Sequence, residues 1–307
     1  MSRFENKGMI MKRTYRTLCR NIDFGLLRGE YKRAAYLIVF FLIQLFTLAM
    51  IQNCRAELKI HFMDVGQGDA VLIQCDGESI LLDAGPMEAG DKVNAYLKKQ
   101  GIERLTAVIA SHEHDDHLAG MPAALRGMSV DTVYTPQSVP ITWWFENILP
   151  VLAQQGMNVI RTPGEGSVPL GEATVSFLGR LTQSEIPNNL CDVLRVDYEN
   201  TSVLLMADLE GEGESYLLNS GANLKADVLK IGHHGGNTST TDAFLKAVDP
   251  QIAVISVGTE NKHGHPHSET LKKLSKHNIV VYRTDEFGDI LLISDGNTWR
   301  TEVSKAR

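Results

Sequence analysis

The chain has 307 residues, 43% of them hydrophobic, which is enough for one large globular domain and an appendage. Residues 1–56 hold ten of the 30 Lys/Arg but only three of the 37 Asp/Glu, so the rest carries 20 basic against 34 acidic residues, a balance of −14. A part that acidic is excluded as a general electrostatic trap for nucleic acid, and four cysteines (Cys19, Cys54, Cys75, Cys191) exclude a dense disulfide framework.

At the N-terminus, Lys7, Lys12, Arg13, Arg16, Arg20, Arg28, Lys32 and Arg33 precede an uncharged run, residues 34–51, near the lower limit for crossing a bilayer. Basic residues on that flank predict a cytoplasmic segment 1–33 and a membrane anchor or signal peptide at 34–51. The remainder is then expected outside the cell, either single-pass and tethered or secreted after a cut near Ala56. A buried core helix is the bland alternative for the run.

Glu57 to Met63 alternates as a half-buried strand does, and the turn Asp64-Val65-Gly66-Gln67-Gly68-Asp69 follows it. Ala70–Cys75 and Ser79–Asp83 read as two more strands joined by Asp76-Gly77, an antiparallel start to a sheet. Residues 91–100 have helical spacing. Leu105–Ala110 is apolar and β-branched, a buried strand that ends at Ser111-His112-Glu113-His114-Asp115-Asp116-His117-Leu118-Ala119-Gly120. A helix is expected to start near His117 and to run over 119–125, a short strand over 131–135, and a further helix over 143–155, where Trp143, Trp144 and Phe145 line a groove, pack in the core or form a membrane-facing edge.

In an extended loop, residues two apart face the same way, so His112 and His114 can share one ion. Asp116 and His117 then turn towards a second. Neutral imidazole and carboxylate suit Zn²⁺, and also Mn²⁺ or Fe²⁺. Two ions roughly 3.5–4 Å apart can clamp both oxygens of a displacement. The alternative is a solvated polar loop that happens to be rich in histidine.

The second half repeats the theme. Strands are expected at 174–178, 192–198, 202–206, 226–231, 252–257, 279–283, 290–293 and 298–303, with helices at 212–219, 243–248 and 268–276. Two sheet-rich halves with helices between them predict an α/β fold of two sheets packed together and covered by helices on both outer faces.

The pattern His112-x-His114-x-Asp116-His117 after a buried strand resembles the metallo-β-lactamase fold superfamily, a four-layer αββα sandwich. The likeness spans residues 57–303. It is nearest to the hydrolase domain of the competence protein ComEC, through MDVGQGDAVLIQ, LLDAG, SHEHDDHLAG, NNLCDVLRV, LLMADLE, DVLKIGHHGGNTST, VDPQIAVISVG, GHPHSETL and YRTDEFGDI. Only one hydrophobic run is present, so channel-type DNA transport is not implied.

The resemblance implies a hydrolase domain at 57–307 with two divalent ions, zinc or manganese. Asp83 is expected to brace the histidine loop, Asp208 to bridge both ions, and His233 to be the last ligand. His234 would then be its neighbour, donating a proton or binding a phosphoryl oxygen, with the order of the two histidines left open. Many members carry a further histidine before the bridging aspartate. None occurs here between His117 and His233, so Asn189 or Cys191 is expected to fill that position, unless Cys191 is a buried thiol. Asp116 would orient the attacking water and take its proton. His265 would serve substrate binding or proton transfer, or else stabilise its loop.

The substrate class implied is a phosphodiester, with single-stranded DNA as one member. Choline-phosphate esterase action on cell-wall teichoic acid, β-lactamase-type hydrolysis and a non-enzymatic metal-stabilised surface module are the rivals. No protein partner is inferred.

Overall fold

The computed structural model describes residues 29–52, 56–136 and 143–305. The strands run in order as β1 (Leu58–Phe62), β2 (Val71–Cys75), β3 (Glu78–Leu82), β4 (Arg104–Ile109), β5 (Ser129–Thr135), β6 (Val159–Arg161) and β7 (Glu165–Leu170). They continue as β8 (Ala173–Leu178), β9 (Leu194–Tyr198), β10 (Thr201–Leu205), β11 (Val228–Lys230), β12 (Ile252–Ile255), β13 (Val280–Arg283), β14 (Ile290–Ser294) and β15 (Trp299–Val303). Among the described residues they form an eight-stranded sheet, β15-β14-β1-β2-β3-β4-β5-β6, and a seven-stranded one, β13-β12-β11-β10-β9-β8-β7.

Side-chain alternation sets the layering. Val71, Ile73 and Cys75 of β2 meet Val203 and Leu205 of β10 in one apolar cluster between the sheets. Leu72, on the opposite face of β2, joins a second cluster with Val93 and Leu97 of the helix Gly90–Lys99. Leu204, on the opposite face of β10, joins a third with Phe244, Leu245 and Val248 of the helix Asp242–Val248. Three apolar layers between four structural ones make the α/β arrangement expected from the two strand-rich halves.

Each sheet is antiparallel on one side and parallel on the other. The run β3-β4-β5-β6 is parallel, as is β10-β11-β12-β13. Parallel strands end together, so the loops after β3, β4, β10 and β11 share one rim, where α/β sheets place their sites.

Two strands escape the periodicity reading. β6 is short, and β7 contains Gly166 and Pro169, residues that argue against a strand unless it lies on an edge. β7 is indeed the edge of the second sheet.

The expected membrane location is corrected. The run 34–51 lies in the helix Gly29–Gln52, but among the described residues no helix is long and apolar enough to cross a membrane. Glu30, Lys32 and Arg33 occupy the start of that helix and shorten its uncharged length. The single-pass tether and the secreted form both depended on this segment. The basic residues of 1–28 and Cys54 of the proposed cleavage region fall outside the described residues, as do the side chains of Trp143, Trp144 and Phe145. Cys75 and Cys191 are buried free thiols.

Candidate metal centre

Strand β4 is apolar and buried from Ala107 on to Ala110, and the chain then leaves the sheet as a polar loop that turns into the short helix Asp115–Leu118. His112 and His114 face one another across this loop, with Nε2 of the first 3.1 Å from Nδ1 of the second. Asp208, just past β10, comes from the other sheet. Its Oδ2 lies 3.9 Å from His112 Nε2, while its Oδ1 lies 3.3 Å from His117 Nε2. His234, just past β11, brings Nε2 to 3.4 Å from the same Oδ1 and to 3.3 Å from Asp116 Oδ2. His112, His114 and Asp208 make one group of potential ligands; Asp116, His117 and His234 make another.

These atoms fit a divalent cation. His117 Nε2, His234 Nε2 and Asp208 Oδ1 are buried and have no hydrogen-bond partner, an expensive arrangement unless a cation is their partner. Zinc bonds of about 2.0–2.1 Å in a tetrahedral set put ligand atoms about 3.3 Å apart. The outer ring nitrogens are already used. His117 Nδ1 lies 2.7 Å from Asp83 Oδ2, and His234 Nδ1 donates to the Ser256 carbonyl at 2.9 Å. Each ring therefore turns the lone pair of Nε2 inward.

The electrostatics make the same demand for positive charge. Burial works against a charged His117, yet Asp208 and Asp83 outweigh it and hold the ring well above its ordinary value. Burial is likewise overcome at His234, chiefly by Asp208 and then by Asp116, and its pKa is pushed up to about 10. Asp208, though buried, is held well below the usual carboxylate range by His234 and His117. His112, whose largest influence is burial, followed by the charge of His117, is pushed well below its ordinary value and is neutral.

Asp83 accepts from Ser111 N at 2.8 Å and Ser111 Oγ at 2.6 Å besides facing His117, so it spans the base of the histidine loop. Asp192 N donates to the Ser111 carbonyl at 2.9 Å, joining the second half of the chain to the same loop. Backbone strain gathers here. Asp83, Ala207, His233 and His234 all have left-handed φ, at 58°, 45°, 50° and 53°.

Of the two histidines whose order the sequence left open, His234 is the one turned into the centre. Two successive left-handed residues swing His234 into the centre and leave His233 partly exposed, its Nδ1 3.2 Å from Glu210 Oε1. The side chains of Asn189 and Cys191, expected at the missing ligand position, are engaged with other partners. Asn189 Oδ1 accepts from Glu210 N at 3.0 Å, its amide donates to Glu212, and the Cys191 thiol is directed at the Met206 carbonyl. His265 stands beside the pair, its ring centroid 5.2 Å from that of His233 and 6.3 Å from that of His234. Burial and then His233 push its pKa down to about 4, so it is neutral near pH 7. Its backbone N–H and C=O are both held by the Asn261 side chain.

Two charged residues at the centre carried no assigned role from sequence. Asp69 and Lys230 are almost wholly buried and form an ion pair at 2.5 Å. Lys230 was visible as a charge in a strand otherwise apolar, and Asp69 as an acid directly before a buried one.

Residues 63–259 match the profile described as Metallo-beta-lactamase superfamily. ComE operon protein 3 of Bacillus subtilis is 29% identical, over 80% of this chain and 34% of its own length. Competence protein ComA of Neisseria gonorrhoeae is 30% identical over 76% of this chain and 32% of its own, and Recombination protein 2 of Haemophilus influenzae is 29% identical over 78% and 29%. The chain thus spans about a third of the length of the curated relatives it matches. Among solved structures, the metallo-beta-lactamase fold protein YhfI from Bacillus subtilis is similar with a TM-score of 0.52 at 14% identity, covering 80% of this chain and 100% of that one. CmlA, a diiron β-hydroxylase from Streptomyces venezuelae, also reaches 0.52 at 14% identity, covering 81% and 54%. At such identity the solved structures speak for the fold alone. The profile covers most of the chain, including every potential ligand above, and the competence relatives meet the ComEC likeness of the motifs: the chain belongs to the metallo-beta-lactamase superfamily.

Proposed function

We propose that the chain is a metal-dependent phosphodiester hydrolase with two divalent ions, zinc or manganese. The observation that carries this reading is Asp208, whose two oxygens face different histidine groups, Oδ2 towards His112 and Oδ1 towards His117 and His234. Two ions held by these groups would supply Lewis acidity towards a phosphoryl oxygen and lower the pKa of a water towards neutrality.

The rest of the chemistry belongs to the chain. Asp83 fixes the tautomer and direction of His117, and the Ser256 carbonyl does the same for His234. Asp116, tied to His234, lies at the more open side of the centre and is placed to accept a hydrogen bond from the attacking water. His233 and His265 stand beside His234, each ring centroid 6.3 Å from its own. A neutral His265 offers a phosphoryl oxygen an N–H hydrogen bond, which fits better than the role of an imidazolium acid.

A nucleic-acid phosphodiester, single-stranded DNA in particular, is favoured by relatives named for competence and recombination. The acidic balance of the domain then requires that recognition be local to the centre. The test is the full chain with Zn²⁺ or Mn²⁺ against bis(p-nitrophenyl) phosphate, single-stranded DNA and nitrocefin. Turnover of the first two, abolished in Asp208→Ala along with metal content, is expected. Full activity of Asp208→Ala, or turnover of nitrocefin alone, refutes the reading.

A further inference from the structure

Resting on the two-ion reading above, we propose that Asp69 is an additional metal ligand, held in place by Lys230. A carboxylate oxygen of Asp69 lies within 4.8 Å of ligand atoms of both His117 and Asp208. The residue is 2% exposed, and its Oδ1 is buried with no hydrogen-bond partner. Its Oδ2 is taken by Lys230, which is 1% exposed and whose Nζ also donates to the Ala207 carbonyl at 3.2 Å. Lys230 thus grips one oxygen and leaves the other, Oδ1, without a hydrogen bond and 3.8 Å from His234 Nδ1. Its contact with Ala207, the residue before Asp208, sets both aspartates from one ammonium.

The turn that delivers Asp69 is built for close approach to the histidine loop. Asp69 N donates to the Asp116 carbonyl at 3.1 Å, and a Cβ on Gly68 would lie 2.1 Å from that same oxygen. Asp69 therefore comes as near to the centre as backbone contact allows. Asp69 thus adds a donor on the side of His117 and Asp208. A buried carboxylate oxygen that accepts no hydrogen bond and has only the His234 ring 3.8 Å away is costly unless a cation is near it.

The experiment measures metal content and affinity in the full chain by elemental analysis and competition with a chromophoric chelator. The double variant Asp69→Asn with Lys230→Met removes both charges together, so neither is left buried alone. It is expected to keep the wild-type circular dichroism spectrum and to lose affinity for one ion roughly 10- to 100-fold. Asp69→Glu keeps the ion pair but displaces the carboxylate, and it is expected to alter the visible spectrum of the Co²⁺-loaded protein. That variant decides the matter should the double variant not fold. Wild-type affinity in the double variant, or an unaltered Co²⁺ spectrum in Asp69→Glu, overturns the assignment of Asp69 alone. A wild-type chain that takes up no ion overturns the two-ion reading with it.

Discussion

Replacing Asp83 by asparagine exchanges one oxygen for an amide nitrogen at a side chain with no solvent exposure. The native carboxylate takes three donors: Ser111 N, Ser111 Oγ and His117 Nδ1. An amide oxygen can keep Ser111 N, but the amide nitrogen then faces Ser111 Oγ and the N–H of His117. The hydroxyl can rotate and accept; the imidazole can accept only by moving its proton to Nε2, the atom needed inward. One charge-assisted bond is lost, about 1.5–3 kcal/mol. An outer partner of a metal-bound histidine is worth roughly 10–100-fold in metal affinity, or about 1.4–2.8 kcal/mol, so the two routes agree. Burial already disfavours the charged form of Asp83, against the pull of His117, so the neutral amide is expected to fold. Chelator competition should show weaker uptake by Asp83→Asn, with a cooperative melting transition retained. Wild-type metal affinity in that variant would refute the claim that Asp83 sets the tautomer of His117.

The inward turn of His234 rather than His233 gives a paired prediction. His234→Ala loses metal, whereas His233→Ala keeps its metal and loses roughly 10–100-fold in turnover, the worth of a hydrogen bond to a charged oxygen; the opposite pattern would make His233 the ligand. Gly68→Ala places a methyl against the Asp116 carbonyl at a φ of 136°, so it should lower the melting temperature and metal content together, as read by calorimetry and elemental analysis. In metal-free protein, His234 is raised from 6.5 to about 10, so its stabilising contribution is full below pH 6.5 and is lost as pH rises to about 10. Urea unfolding of metal-free protein should weaken across that window, while metal uptake, which displaces these protons, strengthens. A flat stability profile from pH 6.5 to 10 contradicts the assignment.

The histidine loop was legible because its ligands lie within six positions of one another after an apolar strand, a pattern that spacing alone can read. Asp83, Asp208 and the His233-His234 pair needed the family's motifs, since each comes from a different strand end and nothing local links it to His112. Which of the paired histidines turns inward was not legible. That depends on two left-handed residues in succession, and no β-strand periodicity reports backbone sign. β7 was missed because glycine and proline mask an edge strand, and Asp69 because an aspartate beside two glycines reads first as a turn residue. The hydrophobic run misled for a different reason: hydropathy over 18 residues sits at the boundary where a span and a non-spanning helix look alike.

The charge gathered at the centre bears on how many ions it holds. Asp69, Asp83, Asp116 and Asp208 bring four negative charges, and Lys230 returns one. With the histidines neutral as ligands, one divalent cation leaves the group negative in surroundings from which water is largely excluded, where an uncompensated charge is costly. Two such cations, together with one anion such as a deprotonated water or a phosphodiester group, bring it to neutrality. The balance would fail without Asp69, because Lys230 alone would then tip the group positive and weaken the second ion. Asp69 groups with His117 and Asp208, so the Asp69–Lys230 pair brings one charged donor to that side of the centre together with a lysine that offsets its charge. Elemental analysis giving a single tightly held ion per chain at saturating metal would break this reasoning, whatever the turnover.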